Sequence, residues 1–211
     1  MNFSNIQYFY LFAGTFIAVS LLTPIMRKIA LNYGVVDSPN AAHKTHKSPV
    51  PYLGGVAIVA GVTTVSYGAL ILSDYSTKTL TLASTVLIPA VLMGAIGLLD
   101  DVRNLSPWPR FIAQNLVAIV SAAILVSTKT VGSPTGSTFL DIFITVVWIV
   151  GLTNSINFLD NIDGGASGVV AIASTSLFLI AFQSGQILIA GLALALTGAT
   201  LGFLLWNKPP A

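Results

Sequence analysis

Apolar and polar residues occur along this chain in long blocks. Seven apolar stretches are separated by short polar segments, and the stretches cover residues 6–26, 53–72, 80–99, 110–127, 139–157, 167–183 and 187–206. Each is long enough to cross a hydrocarbon core of about 30 Å as a helix. Backbone groups cannot stay unpaired in lipid, so helices are the expected form. The pattern predicts an all-α, polytopic membrane helix bundle of about seven transmembrane helices, forming one transmembrane domain over residues 1–211.

The composition agrees with a membrane protein, since 55% of the residues are hydrophobic and only 8% are charged. Soluble domains have about 25% charged residues. The absence of cysteine excludes disulfides and thiolate chemistry. The first residues, MNFSNIQYF, lack the basic residues of a secretory signal, so we expect no cleaved signal. The net charge of +2 is small, and we expect the lipid bilayer, with no nucleic acid, as the partner surface.

The basic residues predict the orientation of the helices. Seven of the nine lysines and arginines follow the odd-numbered apolar stretches, and only Lys78 and Lys129 lie in the opposite connections. The positive-inside rule makes the first side cytoplasmic, so the N-terminus is predicted outside and the C-terminus in the cytoplasm. The polar segments on the cytoplasmic side include residues 37–55, 100–110 and 154–168, which we interpret as active-site loops.

The third apolar stretch ends in two adjacent carboxylates, Asp100 and Asp101. The C-terminus of a helix carries partial negative charge and disfavours acids, so a cation is expected nearby. A bound metal ion is one candidate. The alternative is a pair of solvated loop aspartates balanced by Arg103 and Arg110. In the next stretch Gln114 and Asn115 are polar where lipid is expected, and we expect both to face the bundle.

The fifth stretch leads into NSINFLDNIDGG, in which Asn154, Asn157, Asp160 and Asp163 recur every third residue. In a continuous helix these four would share one face. Gly164 and the glycines after it would allow a ligand or a neighbouring helix to approach the backbone closely. The alternative interpretation is a polar seam between packed helices.

The four aspartates are expected to gather at neighbouring helix ends, where Mg²⁺, or alternatively Mn²⁺, would offset their charge. The opposite charge comes from HKTHKSPVPYLGG, in which His43, Lys44 and His46 are candidate donors to phosphate oxygens. An ordinary positive-inside loop would also explain the lysines. A cation-coupled transporter is a rival function, although its acids would lie near mid-span.

Three segments in this order, DSPNAAHKTHKSPVPYLGG, GLLDDVRNLSP and NSINFLDNIDGGASG, resemble the polyprenyl-phosphate N-acetylhexosamine-1-phosphate transferase family (glycosyltransferase 4 type). The chain is most similar to its UDP-GlcNAc:undecaprenyl-phosphate branch. The resemblance implies a Mg²⁺-dependent enzyme of the bacterial inner (plasma) membrane, with its active site on the cytoplasmic face and dimerisation expected. It would transfer a sugar-1-phosphate from a UDP-sugar to undecaprenyl phosphate and release UMP, an early step of peptidoglycan, lipopolysaccharide or teichoic acid synthesis.

The resemblance also implies roles for individual residues. Asp100, Asp101, Asp160 and Asp163 would be catalytic, and Asp100, Asp101 and Asp163 would also bind the metal. Substrate binding is implied for a further set: Lys44, His46, Asn154, Asn157 and Gly164.

The chain departs from the family pattern in three places. His43 replaces an arginine, and Asn161 and Gly165 alter the usual DGLDGL motif. The sequence stops at GFLLWNKPPA, before a further aspartate loop and a histidine cluster of a family with ten or eleven spans. We therefore expect the N-terminal two-thirds of the enzyme, and an inactive fragment or scaffold is an open alternative.

Overall fold

A computed structural model describes residues 4–37, 50–73, 76–103 and 105–208. These residues form seven helices, all long and apolar enough to cross a membrane. Their bounds are α1 Asn5–Tyr33, α2 Gly54–Leu72, α3 Thr77–Arg103, α4 Pro107–Ser127, α5 Thr138–Leu159, α6 Gly165–Gln183 and α7 Ile187–Leu204. The prediction of an all-α bundle with seven membrane-spanning helices is confirmed, and the chain is a multi-pass membrane protein. Its orientation across the membrane stays a prediction.

Two helices are longer than the apolar pattern indicated. Helix α1 continues to Tyr33, beyond the predicted end at residue 26, and stops at Gly34, whose φ of 67° is left-handed. Helix α3 continues to Arg103, so Asp100 and Asp101 lie in its last turn and the segment 100–110 begins inside a helix. Two short antiparallel strands that the pattern did not indicate, β1 (Val36–Asp37) and β2 (Val50–Pro51), follow α1.

The chain divides into two compact units. The first, residues 1–79 and 160–211, contains α1, α2, α6 and α7 with the two short strands. Its centre is α7, which packs on α1, α2 and α6. The buried residues of α7 are all small, namely Ala190, Gly191, Ala193, Ala195, Thr197, Gly198, Ala199, Thr200 and Gly202. Small residues let two helix backbones come close, which is how membrane helices gain contact energy.

Two glycines of α7 allow its backbone to lie very close to that of α1. A β-carbon at Gly198 would lie 2.4 Å from the carbonyl oxygen of Phe12 and 2.4 Å from Thr15 Oγ1. A β-carbon at Gly202 would lie 2.5 Å from the carbonyl oxygen of Phe16. No side chain fits at these distances, so the contact requires glycine at both positions.

The second unit, residues 80–159, contains most of α3 together with α4 and α5, and α4 packs against α5. Asp141, in the first turn of α5, is only 2% exposed. Its carboxylate accepts hydrogen bonds from Ser133 Oγ at 2.7 Å, from Thr135 Oγ1 at 2.6 Å and from the Thr135 amide at 3.1 Å. This carboxylate therefore fixes the connection between α4 and α5, a segment whose sequence gave no indication of structure.

We expect Gly198→Ala to destabilise the protein by about 1–3 kcal/mol, because the added methyl group overpacks a backbone contact. Unfolding by SDS titration in mixed micelles, followed by circular dichroism, measures the change. Gly68→Ala is the matched control, since a β-carbon at Gly68 in α2 meets nothing within 4 Å. Equal stability of the two variants would contradict the close α1–α7 contact.

Candidate active site

The carboxylate of Asp100 is held by an arginine. Arg110 Nη1 donates to Asp100 Oδ2 at 2.5 Å, and the side chains of Arg110 and Asp100 are 31% and 15% exposed. Asp100 lies in the last turn of α3 and Arg110 near the start of α4, so each charge is unfavourable toward its own helix dipole. The ion pair offsets both penalties. The cation expected beside Asp100 is therefore supplied at least in part by Arg110, one of the two arginines that the alternative interpretation named. The solvated loop of that interpretation is wrong for Asp100, which lies inside α3 and is 15% exposed.

Asp101 is half-buried in the same last turn of α3. Adjacent helical residues point about 100° apart around the axis, so neighbours in sequence do not face each other. Asp100 and Asp101 therefore extend in different directions from α3. Their adjacency in sequence therefore does not mean that both carboxylates face the same ligand.

Asn154 connects two helices of the second unit. Its Nδ2 donates to Gln114 Oε1 and to the carbonyl oxygen of Val150, both at 2.9 Å. Gln114 is 6% exposed, so the expectation that it faces the bundle is confirmed. Asn115 is half-buried and its Nδ2 donates to the carbonyl oxygen of Phe111, in its own helix. A polar seam between α4 and α5 thus describes Asn154, and its role in substrate binding stays a prediction.

The three-residue spacing from Asn154 to Asp163 does not form one helical face. Helix α5 ends at Leu159, so only Asn154 and Asn157 are helical, and Asn157 is exposed. Asp160 and Asp163 lie instead in a turn between α5 and α6. The helical face expected across all four residues is therefore wrong, because the helix stops before Asp160. Gly164, at a left-handed φ of 71°, then precedes α6.

Both aspartates of this turn, Asp160 and Asp163, are exposed. Protein atoms around the Asp160 carboxyl nevertheless reduce its hydration and raise its pKa above the ordinary aspartate value. A nearby cation would favour the charged form and lower the pKa again. The turn therefore carries one acid whose ionised form a nearby cation would favour.

The C-terminus of α7 contacts this turn, which sequence reasoning did not indicate. The amide of Gly164 donates to Asn207 Oδ1 at 2.9 Å. A β-carbon at Gly164 would lie 3.1 Å from Leu204 Cδ1 and 3.2 Å from the carbonyl oxygen of Asn207. Gly164, a predicted substrate-binding residue, therefore packs directly against the end of α7. No local signal in the sequence links positions 43 residues apart.

The end of α7 is in turn fixed to α1. Trp206 Nε1 donates to the carbonyl oxygen of Ser20 at 2.9 Å. Pro24 lies inside α1, four residues after Ser20, and has no amide hydrogen to bond that carbonyl. The indole thus supplies the donor that the proline removes.

The metal and phosphate assignments stay predictions in the part of the chain that the structure describes. Within each compact unit, taken over those residues, no three or more His, Cys, Asp or Glu side chains form a group that could hold a metal ion. Mg²⁺ often takes only one or two carboxylates, with substrate phosphates completing its shell, so an aspartate pair is a fitting donor set. The gathering of all four aspartates stays a prediction. His43, Lys44 and His46 lie outside the described residues.

Comparison with known proteins identifies relatives of this chain. A family model described as glycosyl transferase family 4 matches residues 82–211. A probable undecaprenyl-phosphate N-acetylglucosaminyl 1-phosphate transferase of Bacillus subtilis (strain 168) is 36% identical over 205 residues, which cover 95% of this chain and 55% of the relative.

A second kind of relative also matches nearly the whole chain. The phospho-N-acetylmuramoyl-pentapeptide-transferase of Listeria innocua is 31% identical over 216 residues, covering 95% of this chain and 65% of the relative. The chain therefore spans between half and two-thirds of the length of these curated relatives.

We expect the Asp100–Arg110 pair to contribute about 1 kcal/mol of coupling free energy in a double-mutant cycle. Arg110→Gln should destabilise the protein because it leaves Asp100 uncompensated at a helix C-terminus. In the Asp100→Asn background the same change should cost less. SDS titration of the four proteins measures the coupling, and additive single effects would contradict the pairing.

A second cycle tests the bond between Trp206 and Ser20. Trp206→Phe should cost about 1 kcal/mol of unfolding free energy, because the Ser20 carbonyl loses its donor. Pro24→Ala restores an amide at that position and should remove most of the cost. Trp148→Phe, at a side chain that is 66% exposed on α5, serves as the control. An equal cost of Trp206→Phe with and without Pro24 would refute the compensation.

Proposed function

The chain belongs to the glycosyl transferase family 4, and we propose that it transfers a sugar-1-phosphate from a UDP-sugar to undecaprenyl phosphate, releasing UMP. The observation that carries the proposal is the position of two aspartate pairs, one in the last turn of α3 and one directly after α5. Both pairs lie at the C-terminal ends of odd-numbered membrane-spanning helices, so they are expected on the same side of the membrane. Acids that relay ions through a transporter would instead lie near mid-span. No described aspartate lies in the middle of a helix.

The proposed reaction exchanges one phosphorus–oxygen bond for another. An oxygen of the lipid phosphate forms a bond to the sugar-bearing phosphorus of the UDP-sugar. The bond from that phosphorus to the bridging oxygen breaks, and UMP leaves with the bonding electron pair. Both reactants are anions, so catalysis needs charge neutralisation and alignment more than covalent help.

Several side chains of the protein would share the tasks of neutralising charge and aligning the reactants. Asp100, held by Arg110, and Asp101 act at the end of α3 by positioning the lipid phosphate or a metal ligand there. Asp160 and Asp163 act on the other reactant from an exposed turn. Lys44 and His46 donate to phosphate oxygens. Asn157, exposed at the end of α5, binds substrate.

Mg²⁺ fits the donor set because carboxylate oxygens are the ligands that it takes. Asp100, Asp101 and Asp163 would hold it, as the resemblance implies. When bound, the ion would draw charge from the diphosphate and so favour departure of UMP. Asp160 would gain from the same cation, since a positive neighbour offsets the desolvation that raises the pKa of its carboxyl.

N-acetylglucosamine is the proposed sugar because the Bacillus subtilis relative, named for that sugar, is 36% identical to the chain, against 31% for the Listeria innocua relative. The bacterial inner membrane, with the site on its cytoplasmic face, is the proposed location. It follows from the basic residues of the connections after odd-numbered helices. Dimerisation stays an expectation of the resemblance.

A chimera tests this function in the context of a full-length transferase. Residues 1–211 replace the matching 55% of the Bacillus subtilis relative. The purified chimera is incubated with undecaprenyl phosphate, Mg²⁺ and radiolabelled UDP-N-acetylglucosamine. We expect labelled lipid and UMP in equal amounts, and little product from UDP-N-acetylmuramoyl-pentapeptide.

We expect Asp100→Asn, Asp101→Asn, Asp160→Asn and Asp163→Asn each to reduce turnover of the chimera, by roughly 10²-fold where a charge-stabilising group is lost. Asp74→Asn, in the connection between α2 and α3, is the isosteric control and should leave turnover unchanged. Unchanged rates in all four variants would refute the site. A folded chimera that forms neither labelled lipid nor UMP would refute the transfer reaction.

A further inference from the structure

The turn that carries Asp160 and Asp163 depends on a residue far along the chain. Residues 160–164 connect α5 to α6 without helical structure. Within the turn, the amide of Gly165 donates to the carbonyl oxygen of Ile162 at 2.8 Å. The amide of Gly164 instead bonds Asn207 Oδ1 at 2.9 Å, outside the turn. A side chain from the end of α7 thus supplies an acceptor to the turn.

The contact is more than a single hydrogen bond. Gly164 has a φ of 71°, which residues other than glycine rarely adopt, and α7 leaves almost no room for a β-carbon there. The end of α7 is itself secured, because Trp206 Nε1 bonds the carbonyl of Ser20 and the amide of Asn207 bonds the carbonyl of Phe203 at 3.1 Å. Asn207 is therefore itself held in place, and its side chain can restrict the conformation of the turn.

The chemistry of the Asn207 side chain suits this position. The amide oxygen accepts a hydrogen bond without charge, whereas a carboxylate would add a third negative group near two candidate acids. An exposed turn with irregular backbone otherwise samples several conformations, and each ordered residue costs about 1–2 kcal/mol of backbone entropy. A fixed acceptor lowers the number of conformations open to the aspartates.

We propose that Asn207 is a positioning residue that holds the turn 160–164 in one conformation and thereby sets the placement of Asp160 and Asp163. It acts through the Gly164 amide. The role of the two aspartates in metal binding rests on the proposed function, whereas the contact between Asn207 and Gly164 does not.

Amide hydrogen exchange tests the contact itself. The 211-residue chain is labelled with ¹⁵N-glycine in lipid nanodiscs, and exchange at Gly164 is compared between variants. We expect Asn207→Ala to speed exchange at Gly164 by about fivefold or more, since a net hydrogen bond is lost. Asn207→Asp keeps the acceptor and should restore slow exchange. Asn115→Ala, which removes an asparagine bonded within its own helix, is the control and should change nothing at Gly164.

Binding of Mn²⁺ provides a second measurement, which would not change if the contact were only structural. Titrated Mn²⁺ should broaden the Gly164 and Gly165 signals, and Asn207→Ala should require at least severalfold more Mn²⁺ for half broadening. Unchanged exchange in Asn207→Ala overturns the proposal, as does faster exchange with an unchanged Mn²⁺ midpoint. If Mn²⁺ leaves the wild-type signals unbroadened, the metal role of the aspartates fails. The exchange result, with rescue by Asn207→Asp, then decides the role of Asn207 alone.

Discussion

Helix α7 lies against α1 only because Gly198 and Gly202 carry no side chain. The backbone carbonyls of Phe12 and Phe16 occupy the space that β-carbons at those positions would need. Lipid tails are as apolar as leucine, so membrane helices gain little by burying apolar surface against each other and depend on close packing. The first compact unit is therefore organised around this contact. Hydroxyl groups contribute to the neighbouring contact between α6 and α7, where Ser174 Oγ and Thr197 Oγ1 lie 2.8 Å apart.

The contact between α1 and α7 continues beyond the end of α7, and residues at that end also contact the turn that carries two candidate site aspartates. Trp206 donates a hydrogen bond to the Ser20 carbonyl, which lacks an amide donor within α1 because Pro24 has no N–H. This bond attaches the residues after α7 to α1. The next residue, Asn207, bonds Gly164 and so reaches the turn with Asp160 and Asp163. Core packing and the candidate site are thereby joined by a short series of hydrogen bonds through the first unit.

In the second unit, acids at the helix ends are stabilised in two different ways. Only 8% of the residues of this chain are charged, so few cations are available to pair with its acids. Arg110 pairs with Asp100, although both are unfavourable toward their own helix dipoles. Asp141, at the first turn of α5, has the opposite situation, because a helix N-terminus favours an acid and three donors surround the carboxylate. Asp100 thus depends on its partner helix, whereas Asp141 is satisfied locally.

The sequence by itself determined the seven helices, because a long apolar run in lipid has only one way to satisfy its backbone. It also indicated which residues are candidates for chemistry. The acids at the end of α3 and after α5 were likewise readable, since polar residues at the edge of an apolar run are a local feature. Only the tertiary structure decided that α5 ends at Leu159, which separates Asp160 and Asp163 from the helical face of Asn154. It also decided that Asn154 bonds Gln114 and that Asn207 bonds Gly164, 40 and 43 residues away. Such partners are set by which helices pack together and at what depth, and no periodicity along one helix specifies the helix that faces it.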